Sequence, residues 1–193
     1  MKFILNTSFD PHFCALFDAN DTLIAESNWM IPREDGQHIW DFLTAHLKPT
    51  GMLTFIGGVS GPGSFSSLRT AGAVLNALSF KFKIPVHQAR ADLVIKDYLQ
   101  TQAVETPFLL NSFGQRVFTT QNNTLTPQDL SKNDINTDTQ YITSWLPPNK
   151  SEHFKNTVSV NPIGPQKTIL NTLQTQTPQP AFVPDYEYPA VQS

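Results

Sequence analysis

Apolar and polar positions divide the chain into segments, and the most clearly patterned segment covers residues 52–80. Residues 52–56 are mostly apolar and predict a buried strand, while residues 57–63 hold four glycines and one proline and predict a turn. From Ser64 onward, apolar residues recur at helical spacing as far as residue 80. Ser64 suits the N-cap because its hydroxyl can accept a hydrogen bond from a first-turn amide. The segment is therefore predicted to form a strand, a glycine-rich turn and a helix.

This predicted helix carries apolar and small residues around most of its circumference. Its small positions are Ser67, Ala71, Gly72, Ala73 and Ala77, and its bulky positions are Phe65, Leu68, Val74, Leu75 and Leu78. Small residues one helical turn apart let a second helix approach closely. Because one sheet covers only one side of a helix, a second cover is expected, either another helix of this chain or a partner protein.

A second helix is predicted over residues 32–47. A proline is tolerated at a helix start, and Glu34 and Asp35 favour the positive N-terminal end. The apolar positions that follow helical spacing are Ile39, Trp40, Phe42, Leu43 and Leu47. Trp40 and Phe42 lie on adjacent faces, so this helix is also predicted to have more apolar surface than one sheet covers.

The other elements of the first half are shorter. Strands are predicted over residues 2–5, 13–17, 22–25 and 81–86, and a helix over residues 89–99 with Leu93, Val94 and Leu99 inward. The single cysteine, Cys14, is expected to be a small buried side chain on a strand.

The second half is less clearly patterned. Strands are predicted at residues 108–110 and 117–118 around a turn at 112–114, and again at 141–146 and 158–160. Residues 119–140 are rich in Thr, Gln and Asn and predict an extended loop or a weakly ordered segment, in which Thr126 opens a short helix. A helix is predicted over residues 165–173, with inward-facing Ile169, Leu170 and Leu173. Residues 177–193 are expected to be extended coil that is partly pinned.

Composition limits the class of protein. A chain of 193 residues with a net charge of −3 and a pI near 5.9 gives no sign of binding a polyanion such as a nucleic acid on its own. One cysteine excludes an internal disulfide and fits a reducing cytosol, so a cytoplasmic location is expected. The apolar run at the N-terminus is too short for a signal peptide or a membrane span, so no membrane contact is expected.

The glycine-rich turn departs from two catalytic loops. A Walker loop continues with Gly-Lys-Ser/Thr, whereas Gly63 is followed by Ser64 and Phe65. A nucleophile elbow reads G-x-S-x-G, whereas residues 58–62 end on Pro62. Both a P-loop kinase and an esterase are therefore disfavoured.

The histidines do not predict a metal site. None of the five forms H-x-x-x-H or H-E-x-x-H, the spacings that place two imidazoles on one helical face. His87 also has no Cys, Asp or Glu at ligand spacing. A metallopeptidase that binds its metal through such a pair is therefore disfavoured.

A family signature covers the end of the glycine-rich turn and the start of its helix. Residues 61–69 read GPGSFSSLR and resemble the GPGSFTGLR signature of the TsaB (YeaZ) family of bacterial tRNA threonylcarbamoyladenosine biosynthesis proteins. Shorter matches occur in the family's order: residues 32–34 with Gln37 resemble PRE-x-x-Q, residues 5–8 resemble I-D-T-S/A, residues 84–86 follow the signature helix, and residues 180–183 resemble P-x-Y-L. Collinear matches along most of the chain argue against chance.

The resemblance implies an α/β fold of the actin-like ATPase (ribonuclease H-like) type, with a mixed sheet flanked by helices. It implies two lobes, an N-terminal lobe over residues 1–103 that carries the partner-binding helices and a reduced C-terminal lobe over residues 104–193.

The resemblance also implies a non-catalytic scaffold that pairs through two helices with a TsaD-like catalytic subunit and, through it, with a TsaE-like ATPase. ATP and metal are then expected on the partners and not on this chain, and tRNA is contacted only indirectly. The expected partner contacts are Arg33, Trp40, Leu43, Leu68, Ala71, Gly72 and Leu75, beside a glycine-rich turn of Gly61, Pro62, Gly63 and Ser64. On this hypothesis, Ala71→Glu abolishes partner binding and leaves the monomer folded.

Several positions depart from the family pattern. Asn6 stands where the superfamily has an acidic metal-nucleotide ligand, and Asn111, Arg116 and Phe118 stand where the family has Asp, Glu and Tyr. An amide offers Mg²⁺ no negative charge, so Asn6 argues against independent ATP chemistry. Two alternatives stay open: an active small-molecule kinase of the same superfamily, which Mg-ATP titration would reveal, and a homodimeric binding module, which sedimentation would reveal.

Overall fold

Residues 1–102 contain a five-stranded mixed sheet with three helices. The computed structural model describes residues 1–30, 34–47, 52–102, 106–111, 116–121, 124–132, 135–143, 148–159 and 166–186. The strands are β1 (Lys2–Asn6), β2 (His12–Phe17), β3 (Leu23–Trp29), β4 (Phe55–Val59) and β5 (Val86–Ala89), and the helices are α1 (Asp35–His46), α2 (Phe65–Phe82) and α3 (Ala91–Gln102). The strand order is β3-β2-β1-β4-β5, antiparallel through β1 and parallel from β1 to β5.

The second half repeats this topology with smaller helices. Its strands are β6 (Phe108–Asn111), β7 (Arg116–Gln121), β8 (Thr124–Asp129), β9 (Tyr141–Thr143) and β10 (Thr157–Ser159), in the order β10-β9-β6-β7-β8. A 3-10 turn (Leu130–Lys132) and the one-turn helix α4 (Pro148–Ser151) stand where the first half has α1 and α2. This duplicated mixed sheet is an α/β actin-like architecture, as predicted, and its second copy is reduced.

Both faces of the first sheet are covered. Alternation along β1 and β2 sends Phe3, Leu5 and Leu16 into one apolar cluster with α1 and α2. It sends Ile4 and Phe13 into a second cluster, which also contains side chains of α3 and the second sheet. The helix α5 (Gln166–Gln174) packs against α3, β4 and β5. Residues 166–186 therefore return to the first half, although the two sheets lie on either side of residue 103.

Several sequence predictions are confirmed. Cys14 is fully buried on β2, and this burial raises the pKa of its thiol. Val94 is buried on α3, and the three inward-facing residues predicted on α5 are buried; they are Ile169, Leu170 and Leu173. The predictions that fall on Pro32, on the side chain of Leu99 and on the turn at 112–114 lie outside what the structure describes.

Other predictions are wrong. Gly57 and Gly58 belong to β4 and not to the turn. Glycine is needed at position 58 because α2 packs closely there, and a Cβ would lie 2.5 Å from Leu75 Cδ1. The helix α2 continues to Phe82 and ends at Lys83, whose φ of 54° is left-handed, so the strand predicted from residue 81 begins only at Val86. Residues 124–129 form β8, where a loop and a short helix were expected.

Candidate functional site

The glycine-rich turn packs against the loop that follows β1. A Cβ at Gly63 would lie 2.6 Å from the carbonyl oxygen of Ser8, so only glycine allows this approach. The Ser8 hydroxyl donates to the carbonyl of Pro62 at 2.6 Å, and the Thr7 hydroxyl donates to the carbonyl of Ser67 at 2.9 Å. The side of the turn that faces β1 is therefore closed by the chain itself.

The C-terminal segment closes the other side. The Asp185 N–H donates to the carbonyl of Ser60 at 2.6 Å, and its carboxylate pairs with the guanidinium of Arg90. Gly61 has a φ of 132°, and a Cβ there would lie 2.3 Å from the Asp185 carbonyl oxygen. A phosphate at this turn would have to displace a carboxylate-bearing segment, so the geometry fits a structural turn better than an anion cradle.

The end of the turn and the end of β1 also have local roles. Ser64 is the N-cap residue of α2, as predicted, but its side chain makes no capping hydrogen bond and its Oγ lies 3.1 Å from Ser66 Oγ. The Asn6 amide donates to the carbonyls of Phe9 at 2.8 Å and Pro11 at 3.2 Å, and its Oδ1 accepts from the Ser8 N–H at 3.1 Å. Asn6 thus shapes the loop between β1 and β2, which is a role that an amide performs and a carboxylate does not.

The residues predicted at a partner contact do not form one surface. Four of them are buried in the chain's own core: Leu68, Ala71, Gly72 and Leu75. Leu43 is partly buried against the same cluster, and Arg33 lies outside the described residues. Trp40, by contrast, is 65% exposed. The four buried side chains are covered by this chain, which corrects the prediction that they are offered to a partner.

A different set of residues forms the outer surface of the helix pair. Along α2 the exposed positions include Arg69, Ala73, Ala77 and Phe80, which follow one another at one-turn spacing. Phe80 is 89% exposed, and Trp40 lies on α1, which contacts α2. We call these exposed residues of the two helices, Trp40, Ala73, Ala77 and Phe80, the α1/α2 surface. A stripe of α2 that combines Phe80 with two alanines, beside a helix that exposes Trp40, is typical of a site that another helix covers.

A buried polar cluster, which the sequence did not predict, ties α1 to the sheet. Asp35, in the first turn of α1, has a carboxylate oxygen 2.6 Å from His12 Nδ1, and the same oxygen accepts from the Trp29 indole N–H at 2.6 Å. His12 Nε2 lies 3.8 Å from an Asp10 carboxylate oxygen. Asp35, His12 and Asp10 are 1%, 3% and 7% exposed. These groups are closed to substrates, so their geometry supports a structural role.

The second lobe adds a lysine to the neighbourhood of this cluster. Lys150 on α4 is buried, and this desolvation lowers the pKa of its ammonium from 10.5 to about 8, while the nearby Asp10 carboxylate opposes the shift. Between those pH values the unfolded chain binds more protons than the folded one, so Lys150 makes the free energy of unfolding rise with pH.

We expect this rise in the difference between the native protein and Lys150→Met. The free energy of unfolding of the native protein minus that of the variant should increase by about 3 kcal/mol in total as pH goes from 8 to 10.5. Below pH 8 this difference should stay constant. The two proteins are compared because Cys14, whose pKa is raised by burial, lowers the free energy of unfolding above pH 9. This effect is the same in both proteins and cancels in the difference. Urea unfolding at several pH values measures it, and parallel pH profiles would contradict the buried charge.

Metal-binding clusters and membrane-spanning helices are both absent from the described part of the chain. Among those residues no group of three or more His, Cys, Asp or Glu side chains is placed to hold a metal ion. No helix there is both long and apolar enough to cross a bilayer.

Comparison with known proteins gives matches in structure but not in sequence. No family model and no curated protein matches the chain. The structure of YeaZ from Pseudomonas aeruginosa matches with a TM-score of 0.62 and 16% identity, over 96% of this chain and all of that one. A second structure, of an uncharacterized protein with similarity to peptidase YeaZ from Pseudomonas aeruginosa, matches with a TM-score of 0.63 and 15% identity, over 97% and 100% of the two chains. The chain therefore has the fold of YeaZ over nearly its whole length, as the resemblance of its motifs predicted.

Proposed function

We propose that this protein is a TsaB-like scaffold subunit, without catalysis of its own, that docks a TsaD-like catalytic subunit on the α1/α2 surface. The observation that carries the proposal is the exposure of Trp40 and Phe80, 65% and 89%, on two helices that contact each other. Leaving two large aromatic rings in water is unfavourable, and a covering partner would remove that cost.

The chemistry of the surface favours a helical partner. Ala73 and Ala77 lie one turn apart on the exposed stripe of α2, so a second helix can approach its backbone closely. Trp40 and Phe80 supply the aromatic anchors that usually dominate binding energy. A pair of helices from the partner would then form a four-helix bundle with α1 and α2.

The division of labour in the complex follows from the other sites. The glycine-rich turn is filled by the chain's own segments, and Asn6 is engaged by backbone groups. We therefore place ATP and metal on the TsaD-like subunit and on a TsaE-like ATPase that joins through it. With a net charge of −3, this chain contributes to tRNA binding only indirectly, while the complex transfers the threonylcarbamoyl group to the adenosine beside the anticodon.

Docking is tested by titrating the protein with the TsaD-like subunit of the same source. Replacing both Trp40 and Phe80 with alanine should weaken binding at least about a hundredfold, because two buried anchors are lost, and Ala77→Glu should do so by blocking close approach. Calorimetry measures affinity, and an assay of tRNA modification measures the output of the complex. Circular dichroism should show that each variant is folded.

The matched control is Ile24→Ala. Ile24 is also a large exposed apolar residue, at 52%, but it lies near the first residue of β3. Trp29, which contacts Asp35 of α1, is at the other end of that strand, so Ile24 is distant from α1 along β3. We expect its affinity and activity to equal those of the native protein. Native affinity in the double variant, or no binding by the native protein at all, would overturn the proposal.

The same surface also favours self-association. Two copies that bury Trp40 and Phe80 against each other would form a homodimer when the partner is absent. Sedimentation with and without the TsaD-like subunit separates the cases: a scaffold exchanges its own copy for the partner, whereas a dedicated homodimer ignores it.

A further inference from the structure

We propose that residues 177–186, here called the C-terminal strap, form a releasable latch whose seating holds α2 in the conformation that docks a partner. The effect on partner binding rests on the proposed function, whereas the effect of the strap on α2 does not. Phe182 is the only buried residue between 177 and 186, so it is the main apolar anchor of the strap.

The seat of Phe182 is built from glycines and from α2. A Cβ at Gly58 would lie 3.0 Å from the Phe182 ring, and a Cβ at Gly72 would lie 3.6 Å from it. Phe182 thus fills space that missing side chains leave between β4 and α2, in the same cluster as Leu75. Release of the strap would leave an empty space beneath α2, which lowers the cost of moving that helix.

One side chain of α2 forms hydrogen bonds with the backbone of the strap. Asn76 accepts the Phe182 N–H at 2.7 Å and donates to the Phe182 carbonyl at 3.2 Å. Asn76 directly precedes Ala77, a member of the α1/α2 surface. The seated strap and the docking surface are therefore held by neighbouring residues of one helix turn.

The remaining contacts of the strap are polar or peripheral. Gln179 pairs with Val86 through two backbone hydrogen bonds of 2.8 and 2.9 Å, and the Val183 N–H donates to the Gln88 side chain at 2.8 Å. The Tyr186 ring lies 4.8 Å from that of Phe65, at the start of α2. Asp185 adds the hydrogen bond to Ser60 and the ion pair with Arg90, and Pro184 packs beside Gly72. Because the polar groups can bond to water instead and Phe182 is the largest apolar anchor, the strap can open locally while the sheet stays folded.

Hydrogen exchange of the protein alone tests the latch. In Phe182→Ala, amides of α2 should exchange at least tenfold faster, while those of β1 and β2 keep native rates. Val183→Ala is the matched control, since the side chain of Val183, next to Phe182 in sequence, is 62% exposed, and this variant should change neither region. If Phe182→Ala fails to fold, Asn76→Ala and Phe182→Leu provide milder releases with the same expected pattern. Native rates in α2, or equal acceleration everywhere, would overturn the latch.

Partner binding tests the coupling in both directions. Phe182→Ala should weaken binding of the TsaD-like subunit at least tenfold, although Phe182 is not on the α1/α2 surface. Conversely, the bound partner should slow hydrogen exchange in the strap. If the native protein binds no such subunit, the proposed function fails, while the exchange pattern of α2 still decides the latch. Native affinity in a variant with a loosened α2 would overturn the coupling.

Discussion

Replacing Ala71 with glutamate should unfold the protein and not merely block a partner. Ala71 is 1% exposed and lies in the cluster between the first sheet and α2, where a carboxylate would be desolvated without a counterion. The expected loss is more than about 4 kcal/mol, which is a large fraction of the about 5–15 kcal/mol that holds a typical domain folded. Circular dichroism and urea unfolding measure it. This expectation corrects the sequence-based one, in which the variant stays folded.

Ala73→Glu is the matched control for this substitution. Ala73 lies two residues further along α2 and is exposed, so its glutamate stays in water and should change the free energy of unfolding by no more than about 0.5 kcal/mol. If the Ala71 variant had the same urea midpoint of unfolding as the native protein, Ala71 would not be buried against the sheet.

The contrast between Ala71 and Ala73 shows why the sequence did not identify the outer face of α2. Apolar and small residues surround that helix, so periodicity alone predicts two covered sides but not which side the sheet takes. The answer depends on residues distant in sequence: Gly58 admits Leu75, and Phe182 packs against Gly72. Trp40 is exposed on α1, as the surplus of apolar surface on that helix suggested, and its contact with a partner stays a prediction.

The fold was more predictable than the surface. The strands of the first half alternate or form apolar runs, and the GPGSFSSLR motif marks the turn and helix between β4 and β5. In the second half, β8 was missed because its sequence, TLTPQD, is polar and contains Pro127. Its place at the edge of the second sheet, paired only with β7, tolerates such a composition.

The buried polar cluster could not be predicted from local pattern. Asp35 satisfies the rule for an acidic residue at a helix start, which explains it without any partner. Its contacts, His12 and Trp29, lie on two strands and come together only when β2 and β3 pair in register, with His12 opposite Trp29. The sequence therefore indicates a helix terminus where the structure has an anchor.

Removing that anchor should be the second most damaging change. In Asp35→Ala the indole N–H of Trp29 and the Nδ1 of His12 both stay buried but lose the carboxylate oxygen that they share. We expect a loss of about 3–5 kcal/mol in the free energy of unfolding, measured by urea unfolding. The NMR resonance of the Trp29 indole proton should move towards the value of an unbonded indole.

Asp41→Ala separates this anchor from the general effect of removing an acid from α1. Asp41 lies on the exposed side of the same helix, and its carboxylate accepts from the Gln37 amide at 2.7 Å in solvent. Loss of such an exposed one-turn pair costs only about 0.2–0.5 kcal/mol. Equal losses in the two variants would mean that the charge of α1, and not its attachment to β2 and β3, sets stability. A large loss confined to Asp35→Ala would establish that the orientation of α1, and with it the position of Trp40 on the α1/α2 surface, is fixed from inside the sheet.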